Sequence, residues 1–585
     1  MERKACDILI LGGGGAALYA AVHAYDANPQ LNIIVASKGL IGKSGCTRMV
    51  QGGYNVALHS DDSFDKHYDD TLRGGGLINN QELAWTLVTQ APERIFELEN
   101  SYGCYFDRNP DGTIHQRALA GQSFNRTVHR GDLTGIELMS RLSEQILVRN
   151  IALMNEVRGI DLLFDRTGTR VAGAILLDFH SGETFAINAK AVLLATGGAA
   201  PLYRLTPASL EKSGDGLAMA YRAGAEFVDM EMMQFHPTGL IAGDTVMTGT
   251  VLEEGLRGAG GHLLNALGER YMQRYDPQKL ERSTRDRVSR SSFIEVRAGR
   301  GSPAGGVFLD VRHLGKDFLM KSSPGMYKRC LTIGYDMAKD LIQVTPTSHF
   351  QMGGIRIDPR CRTSLKGLFA AGEDAGGVHG ANRLGGNGVA ESMVFGAIAG
   401  DELAAYASGT TLAEPDIPRA LTGATPTAEP RGKDANPFAI RAELGNIAWE
   451  HLGIIRSAES LKIAAAALER LEEQLRQVPI PVRATSDAAL HERMNVENLI
   501  VVARLIHASA SLRTESRGSH FREDFPDPNP DFLVNVYLRK QADGTLCSEL
   551  RPVAFTRRTL ESLRGETVIP TQVGAPRAPI RAAGE

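Results

Sequence analysis

The stretch at residues 6–38, "CDILILGGGGAALYAAVHAYDANPQLNIIVASK", decides the fold. It opens with the apolar run "CDILIL" (6–11), which is typical of a strand buried on both faces of a parallel sheet. A glycine-rich helical segment follows, and "LNIIVASK" (31–38) indicates a second strand. The three parts form a βαβ unit with a G-x-G-x-x-A pattern from Gly12 to Ala17, where the backbone and the helix N-terminus can approach a pyrophosphate.

Two further features indicate which dinucleotide this unit binds. An ordinary NAD site has an acidic residue at the end of the second strand to hold the ribose, but this strand ends in Ser37-Lys38. The segment "AKAVLLATGGAAPLY" (189–203) reads as a buried strand ending in ATGG, which a flavin-binding sheet uses to return to its dinucleotide. Both features favour a flavin site over an NAD-dependent dehydrogenase of Rossmann type.

Composition excludes several classes of protein. The 585 residues carry a net charge of −4, so the composition gives no excess of positive charge that would favour binding of nucleic acid. The six cysteines are scattered and none forms C-x-x-C, which predicts reduced thiols and no metal or iron–sulfur site in this chain. The first residues lack the order of a signal peptide, and no apolar run approaches the roughly 18–20 residues that span a bilayer. We therefore expect a cytoplasmic chain with no membrane span of its own.

Patterns along the chain predict an α/β fold joined to a helical region. A Pro-, Thr- and Gly-rich stretch reads as a linker, and "LGIIRSAESLKIAAAALERLEEQLRQV" (452–478) after it reads as an amphipathic helix with Ser457 as its N-cap. The predicted architecture is a Rossmann-like FAD-binding domain (1–237 and 350–407), an inserted α+β capping domain (238–349), a linker (408–437), a C-terminal helical bundle (438–525) and a C-terminal extension (526–585).

Five segments concentrate His, Arg and Glu between glycines and prolines, where a core would need apolar residues. They are "MMQFHPTG" with His236, "LEEGLRGAGG" with Glu253, Glu254 and Arg257, "ERSTRDRVSR" with Arg285, "PTSHFQMGGI" with His349, and "GVHGANRLGGNGVAES" with His379 and Arg383. An Arg fork binds a carboxylate through two hydrogen bonds, and His donates another. If the segments converge on one cleft, they suit a small anionic substrate. The alternative is a set of unrelated surface and capping residues.

From Cys6 to about Phe525, the chain resembles the flavoprotein subunit of the succinate dehydrogenase/fumarate reductase family. The family also ends its second strand in Ser-Lys. The segments that carry the resemblance are "QRALAGQS" (116–123), "RTVHRGDLTG" (126–135), "SGDGLAMAYRAGAEFVDMEMMQFHPTG" (213–239), "GLFAAGEDAGGVHGANRLGGNGVAES" (367–392) and "ESRGSHFREDFP" (515–526). L-Aspartate oxidase is the nearest related class.

The resemblance implies a role for each matched residue. His236, His349 and Arg383 would grip the substrate carboxylates, with Glu253 beside them. Arg285 would transfer the proton, and Glu254 and Arg257 would connect it to solvent. Glu373 would hold the ribityl chain of FAD, and the helix that starts at Gly388-Val389 would point its N-terminus at the flavin pyrimidine and stabilise the reduced ring. The residues implied to hold FAD are Gly12, Gly13, Gly14, Gly15, Ala16, Ser37, Lys38, Ser44, Gly45, Cys46, Thr47, Gln51, Gly52, Gly53, Val157, Asp215, Glu373, Gly388 and Val389.

Three positions depart from the family pattern. Cys46 stands where membrane-bound members have the histidine that links to the flavin, so we expect non-covalent FAD of lower potential; a cysteinyl thioether is the alternative. Glu253 replaces a Thr or Ser that faces a substrate carboxylate. Either it turns away to pair with an Arg, or one end of the substrate is not a carboxylate. Leu119 replaces an aromatic residue, which gives a roomier pocket or fills the same apolar volume.

The resemblance implies an oxidoreductase that interconverts a C4-type dicarboxylate, such as succinate and fumarate, or an analogue, by hydride transfer at flavin N5. Electrons would pass to or from a separate iron–sulfur subunit, and from there to a membrane anchor or quinone-linked partner. Through these partners the chain would lie at the inner face of the membrane. The alternatives are a stand-alone enzyme like L-aspartate oxidase with non-covalent FAD, which the C-terminal segments disfavour, and a catalytically inert FAD scaffold.

Overall fold

A computed structural model describes residues 2–252, 254–417, 436–478 and 487–564. The strands are β1 (Glu2–Leu11), β2 (Ile33–Ser37), β3 (Tyr54–Asn55), β4 (Gln116–Arg117), β5 (Thr127–Val128), β6 (Ala152–Asn155), β7 (Val157–Phe164), β8 (Val171–Asp178), β9 (Thr184–Leu194), β10 (Phe227–Val228), β11 (Met233–Leu240), β12 (His262–Leu264), β13 (Val307–Asp310), β14 (Ile342–Gln351), β15 (Gly354–Arg356), β16 (Leu368–Ala370), β17 (Ala375–Gly376), β18 (Val534–Lys540) and β19 (Leu546–Pro552). The helices are α1 (Gly15–Ala27), α2 (Phe64–Gly74), α3 (Gln81–Asn100), α4 (Thr134–Val148), α5 (Asp215–Ala223), α6 (Gly255–Gly258), α7 (Met272–Tyr275), α8 (Arg285–Glu295), α9 (Lys316–Ser322), α10 (Pro324–Thr332), α11 (Asn387–Ser408), α12 (Pro437–His451), α13 (Ala458–Arg476), α14 (Ala488–Leu512) and α15 (Leu560–Arg564).

The first sheet places the glycine-rich turn at its centre. Its strands run in the order β6-β2-β1-β9-β8-β7, and β16 also pairs with β9. The central strand β1 is parallel to both β2 and β9, and residues 8–11 are fully buried because helices α1 and α11 cover that part of the sheet. The predicted βαβ unit and the returning strand are therefore confirmed, and the carboxyl ends of β1 and β9 meet beside the turn.

A second sheet extends into the part of the chain between residues 240 and 344, which we call the cap. Its order is β11-β14-β13-β12, all antiparallel neighbours, and residues 240–344 supply a hydrophobic core separate from that of the first sheet. The two long strands β11 and β14 run from this core back towards the first sheet. They carry His236 and His349 side by side at the junction of the two cores.

The C-terminal part begins with the helices α12, α13 and α14, which pack on one another. The predicted cap is present, because the Ser457 hydroxyl accepts from the Ser460 N–H in a capping box. The hairpin β18–β19 then joins β10, so residues 534–552 complete a sheet with β10, β15 and β17. Most of the predicted linker lies outside the described residues, and the predicted domain boundaries stay predictions.

Within the four described ranges, no helix has both the length and the apolar character that crossing a bilayer requires.

Candidate active site

The turn after β1 is shaped for close approach by a ligand. Gly12 has φ +127°, and a Cβ there would lie 2.1 Å from the Ala195 carbonyl oxygen, so only glycine fits. Helix α1 begins at Gly15, whose N–H donates to Thr47 Oγ1 over 3.0 Å. Gly14, its N-cap, has no side chain to satisfy the remaining N–H groups of the first turn. These free amides form an anion site of the kind that binds a pyrophosphate.

A cavity of about 1090 Å³ runs from this turn to the cap. Small-molecule pockets usually measure roughly 300–1,000 Å³, so this one has room for a large cofactor together with a substrate. All the predicted cofactor-binding residues line it: Gly12, Gly13, Gly14, Gly15, Ala16, Ser37, Lys38, Ser44, Gly45, Cys46, Thr47, Gln51, Gly52, Gly53, Val157, Asp215, Glu373, Gly388 and Val389. The free amides, the glycine-lined wall and the size of the cavity fit FAD.

The end of β2 carries a buried charge network in place of the expected acid. Lys38 Nζ lies 2.8 Å from Asp215 Oδ2, and Arg158 Nη2 lies 2.7 Å from Asp215 Oδ1. Burial lowers the pKa of Lys38 to about 8 against the opposing pull of Asp215. The carboxylate that β2 lacks is thus supplied by α5, and its charge is compensated by two cations.

The loop around Cys46 is backed by a lysine that the sequence analysis did not single out. Lys212 Nζ donates to Glu373 Oε2 over 2.7 Å, and Glu373 Oε1 accepts from the Gln351 N–H over 2.9 Å. Burial works against the charge of Lys212, but Cys46 and Glu373 raise its pKa overall. In the sequence, the only indication that Lys212 belongs to the site is its position directly before the "SGDG" segment.

At the other end of the cavity, two imidazoles face one another. His236 and His349 have ring centroids 5.4 Å apart and an interplanar angle of 64°. The pKa values of both lie well below the usual range, first because of burial and then because of nearby arginines. The Thr238 N–H donates to His236 Nδ1 over 3.3 Å, so Nε2 carries the proton. His236 is therefore a neutral donor.

Arg285 and Glu254 form a buried ion pair beside these histidines. Glu254 Oε2 accepts from Arg285 Nε over 2.7 Å and lies 2.6 Å from Nη2, and Arg285 Nη1 donates to Gln234 Oε1 over 3.1 Å. Burial would raise the pKa of Glu254, but Arg285 and Arg257 lower it overall. Arg257 Nη2 lies 4.0 Å from Glu254 Oε1, behind the pair and away from the cavity wall. Arg285, Glu254 and Arg257 thus lie in a row that starts at the cavity wall.

Arg383 is a buried cation without an ion-pair partner among the described residues. It is 6% exposed and stacks over the Phe350 ring at 4.3 Å. It forms no salt bridge with a described carboxylate, and its Nε has no hydrogen-bond partner there. Burial, followed by repulsion from Arg285, lowers its pKa to about 9 against the more distant pull of Glu373 and Glu391. A buried charge without an ion-pair partner is costly, and an anion bound at this end of the cavity would offset that cost.

Other predicted positions have mixed outcomes. Glu253 lies outside the described residues, so neither alternative for it is resolved. Leu119 is buried on the cavity wall. His379 does not join the cavity; it pairs with Glu391 over 2.9 Å. In the described parts of the chain, no group of three or more His, Cys, Asp and Glu side chains could hold a metal ion.

Comparisons with known proteins cover nearly the whole chain. The model of the FAD binding domain matches residues 7–389, and that of the fumarate reductase flavoprotein C-terminus matches residues 441–566. One chain of the fumarate reductase (CoM/CoB) from Methanothermobacter marburgensis is 41% identical, over 93% of this chain and 98% of that protein. L-Aspartate oxidase of Streptomyces coelicolor is 35% identical, over 93% of each chain.

The solved structures agree with these relatives. A mutant form of the E. coli quinol fumarate reductase FrdA has a TM-score of 0.88 at 33% identity, over 96% of this chain and 98% of that one. The predicted fold class and FAD as cofactor are confirmed. This chain belongs to the succinate dehydrogenase/fumarate reductase family of FAD-dependent flavoprotein oxidoreductases.

Proposed function

We propose that this chain interconverts fumarate and succinate, or a closely similar C4 dicarboxylate, as the flavoprotein subunit of a larger complex. The observation that carries this proposal is the buried Arg383 guanidinium, which has no ion-pair partner among the described residues and lies near the two neutral histidines. A carboxylate would pair with Arg383 in two hydrogen bonds, and His236 and His349 would donate to the substrate's carboxylates without adding buried charge.

The ion pair of Arg285 and Glu254 supports a proton-transfer role. Glu254 and Gln234 together hold all three guanidinium nitrogens, so the side chain has one orientation. An arginine yields a proton only fleetingly because its pKa is above about 12, so it needs a carboxylate in direct contact to share that proton. Glu254 would do this, with Arg257 as the next group towards solvent. Bound FAD would supply the hydride acceptor or donor at its N5.

We propose that FAD binds without a covalent link. Gly12, Gly14 and Gly15 would hold the pyrophosphate, Glu373 the ribityl chain, and the start of α11 the pyrimidine. The thiol of Cys46 cannot form the imidazole link of the membrane-bound members. Non-covalent attachment would lower the flavin potential and favour fumarate reduction over succinate oxidation.

The electron partner would be a separate iron–sulfur subunit. This chain has six scattered cysteines without a C-x-x-C pair, and relatives of similar length are named as subunits of fumarate reductases. Through that partner, and a membrane anchor or quinone-linked protein beyond it, the chain would work at the inner face of the membrane.

A dye-coupled assay on the FAD-loaded chain tests the proposal. Fumarate should oxidise reduced viologen and yield succinate, and L-aspartate with oxygen should yield no peroxide. Peroxide formation with aspartate, without fumarate reduction by viologen, would favour the L-aspartate oxidase alternative and overturn the proposal.

A further inference from the structure

We propose that Asn55 is a positioning residue for this reaction, because it fixes the turn that joins the substrate-binding arginine to the start of helix α11. The inference rests on the proposed function. Asn55 lies on β3, is fully buried and does not line the cavity. It acts through the turn at Gly385, Gly386 and Asn387.

Asn55 makes three hydrogen bonds to this turn. Its Nδ2 donates to the Gly385 carbonyl over 2.6 Å and to Asn387 Oδ1 over 2.8 Å, and its backbone N–H donates to the Gly386 carbonyl over 3.3 Å. The Thr127 hydroxyl donates to Asn55 Oδ1 over 2.7 Å. The amide has only this orientation, because the reverse would set Oδ1 against two acceptor oxygens.

Both active-site arginines lie against this turn. A Cβ on Gly385 would come within 2.9 Å of Arg285 Nη2, and a Cβ on Gly388 within 3.0 Å of Arg383 Nη1. Gly386 between them has φ +86°, and a Cβ there would meet Asn55 Oδ1 at 2.1 Å. A small displacement of the turn therefore changes where Arg285 and the first amides of α11 stand relative to one another.

Each acceptor that the Asn55 side chain contacts has a second hydrogen-bond donor. Asn55 is therefore needed for the position of the turn, and not to satisfy buried polar atoms. Asn387 Oδ1 also accepts from His67 Nε2 over 3.1 Å, and the Gly385 carbonyl also accepts from Gln122 Nε2 over 3.0 Å. Burial lowers the pKa of His67 to about 4, so this ring is a neutral donor. When the Asn55 side chain is shortened, both acceptors keep a donor, and the chain should still fold.

The test compares Asn55→Ala with Asn535→Ala in the FAD-loaded protein. Asn535 is also buried and donates two hydrogen bonds, over 2.7 Å to the Ile78 carbonyl and 2.6 Å to Asp229, but it lies on β18 away from the cavity. We expect Asn55→Ala to lower kcat about tenfold or more, as displaced catalytic groups do. The dissociation constant of malonate, a dicarboxylate used as a non-reacting probe, should change less than about threefold.

The flavin potential gives a readout that does not depend on the substrate. Misplaced amides at the start of α11 should stabilise the reduced flavin about tenfold less. The reduction potential of the flavin should therefore fall by about 30 mV, the value of a tenfold change for a two-electron couple. Asn535→Ala should leave kcat and potential at the wild-type values. If Asn55→Ala matches Asn535→Ala in both kcat and potential, the positioning role is wrong.

The proposal can still be tested if the wild-type protein is inactive or if Asn55→Ala does not fold. If wild-type protein turns over no dicarboxylate, the proposed function fails, and the potential shift alone decides the role of Asn55. If Asn55→Ala does not fold, Thr127→Val removes only the hydroxyl that orients the amide. It should shift kcat and potential in the same direction by a smaller factor, and no shift in either overturns the proposal.

Discussion

At the scale of single residues, the cavity holds one buried cation, Arg383, that has no ion-pair partner among the described residues. Arg383 is almost fully buried, stacks on Phe350, and faces the like charge of Arg285. Removing one partner of a buried ion pair normally destabilises a protein, but here the described residues offer no partner to lose. Removing the Arg383 charge should therefore leave the free energy of unfolding unchanged or raise it, where most buried substitutions lower it.

We expect Arg383→Met to leave the FAD-loaded, ligand-free protein as stable as wild type, or more stable by up to about 2 kcal/mol, because it removes a buried charge that has no ion-pair partner among the described residues. The same change should weaken malonate binding about 100-fold or more, since a charge-assisted pair at a buried site contributes roughly 2–5 kcal/mol. Thermal unfolding with and without malonate measures both effects. A destabilised ligand-free variant that keeps its malonate-induced rise in Tm would contradict the assignment.

Arg285→Lys should lower kcat by a factor of roughly 10²–10⁴, the usual range for a positioned proton donor. Lysine keeps the positive charge but cannot contact Glu254 and Gln234 together, so malonate affinity should change far less than kcat. Arg287→Lys on the same helix is the matched control, because Arg287 is half exposed and pairs with Asp276. Equal losses of kcat in the two variants would argue against a special role for Arg285.

The identity of residue 46, a cysteine, leads to a prediction about flavin attachment. Acid precipitation of the FAD-loaded protein should release the yellow colour into the supernatant, because no imidazole stands at this position. A Cys46→Ser variant should behave in the same way. Colour that stays with the wild-type pellet and leaves that of Cys46→Ser would instead establish a cysteinyl link.

At the scale of elements, sequence patterns predicted what is local and missed what is long-range. The apolar run of β1, the glycine turn after it and the cap at Ser457 each depend on neighbouring residues, and all three are present. The pairing of β11 with β14 joins residues about a hundred positions apart, so only family resemblance could bring His236 to His349. Lys212 and Asn55 were missed because their partners, Glu373 and Asn387, are set by packing between distant elements.

Helices α1, α3 and α11 meet at His23, which makes their packing sensitive to pH. Its Nδ1 lies 3.1 Å from Asp401 Oδ1 and its Nε2 lies 3.2 Å from Glu97 Oε2. Burial lowers the pKa of His23 and Arg94 lies nearby, but the two carboxylates raise it overall. The folded pKa thus exceeds the unfolded value, so the added stability is fully present below about pH 6.5 and is lost as pH rises through the folded pKa.

We therefore expect His23→Gln to lower the free energy of unfolding by roughly 1–3 kcal/mol at pH 6, the range for hydrogen bonds to charged groups, and by less at pH 9. Denaturant titrations of both proteins at the two pH values measure this difference. A loss that is equal at both values, or larger at pH 9, would show that His23 is not held as a cation.

At the scale of the whole molecule, residues of the first sheet and of the cap line the cavity, and a polar contact at Asp132 joins its two sides. Asp132, from the segment before α4, is buried on the cavity wall and its Oδ2 accepts from the Met326 N–H at the start of α10 over 3.2 Å. A Cβ on Gly325 would lie 2.5 Å from the same oxygen, so the carboxylate sits directly against this helix start. Negative charge there also suits the helix dipole.

We expect Asp132→Ala to loosen the contact between the two cores and to raise the dissociation rate of malonate about three- to tenfold, the effect of losing roughly 1 kcal/mol at the helix terminus. Asp132→Asn, which keeps one acceptor oxygen, should have a smaller effect. Stopped-flow displacement of malonate measures the rate. Unchanged dissociation in Asp132→Ala would mean that this contact does not hold the cap.

The central claim is that a dicarboxylate bound by Arg383 exchanges a hydride with the flavin of this chain. The most direct test is an anaerobic single turnover, in which FAD-loaded protein is reduced by stoichiometric dithionite and mixed with fumarate. We predict that the oxidised flavin spectrum returns with formation of equimolar succinate, and that this return is about 100-fold slower or more in Arg383→Met and Arg285→Lys. A flavin that stays reduced in the wild-type protein, with no succinate formed, would contradict it.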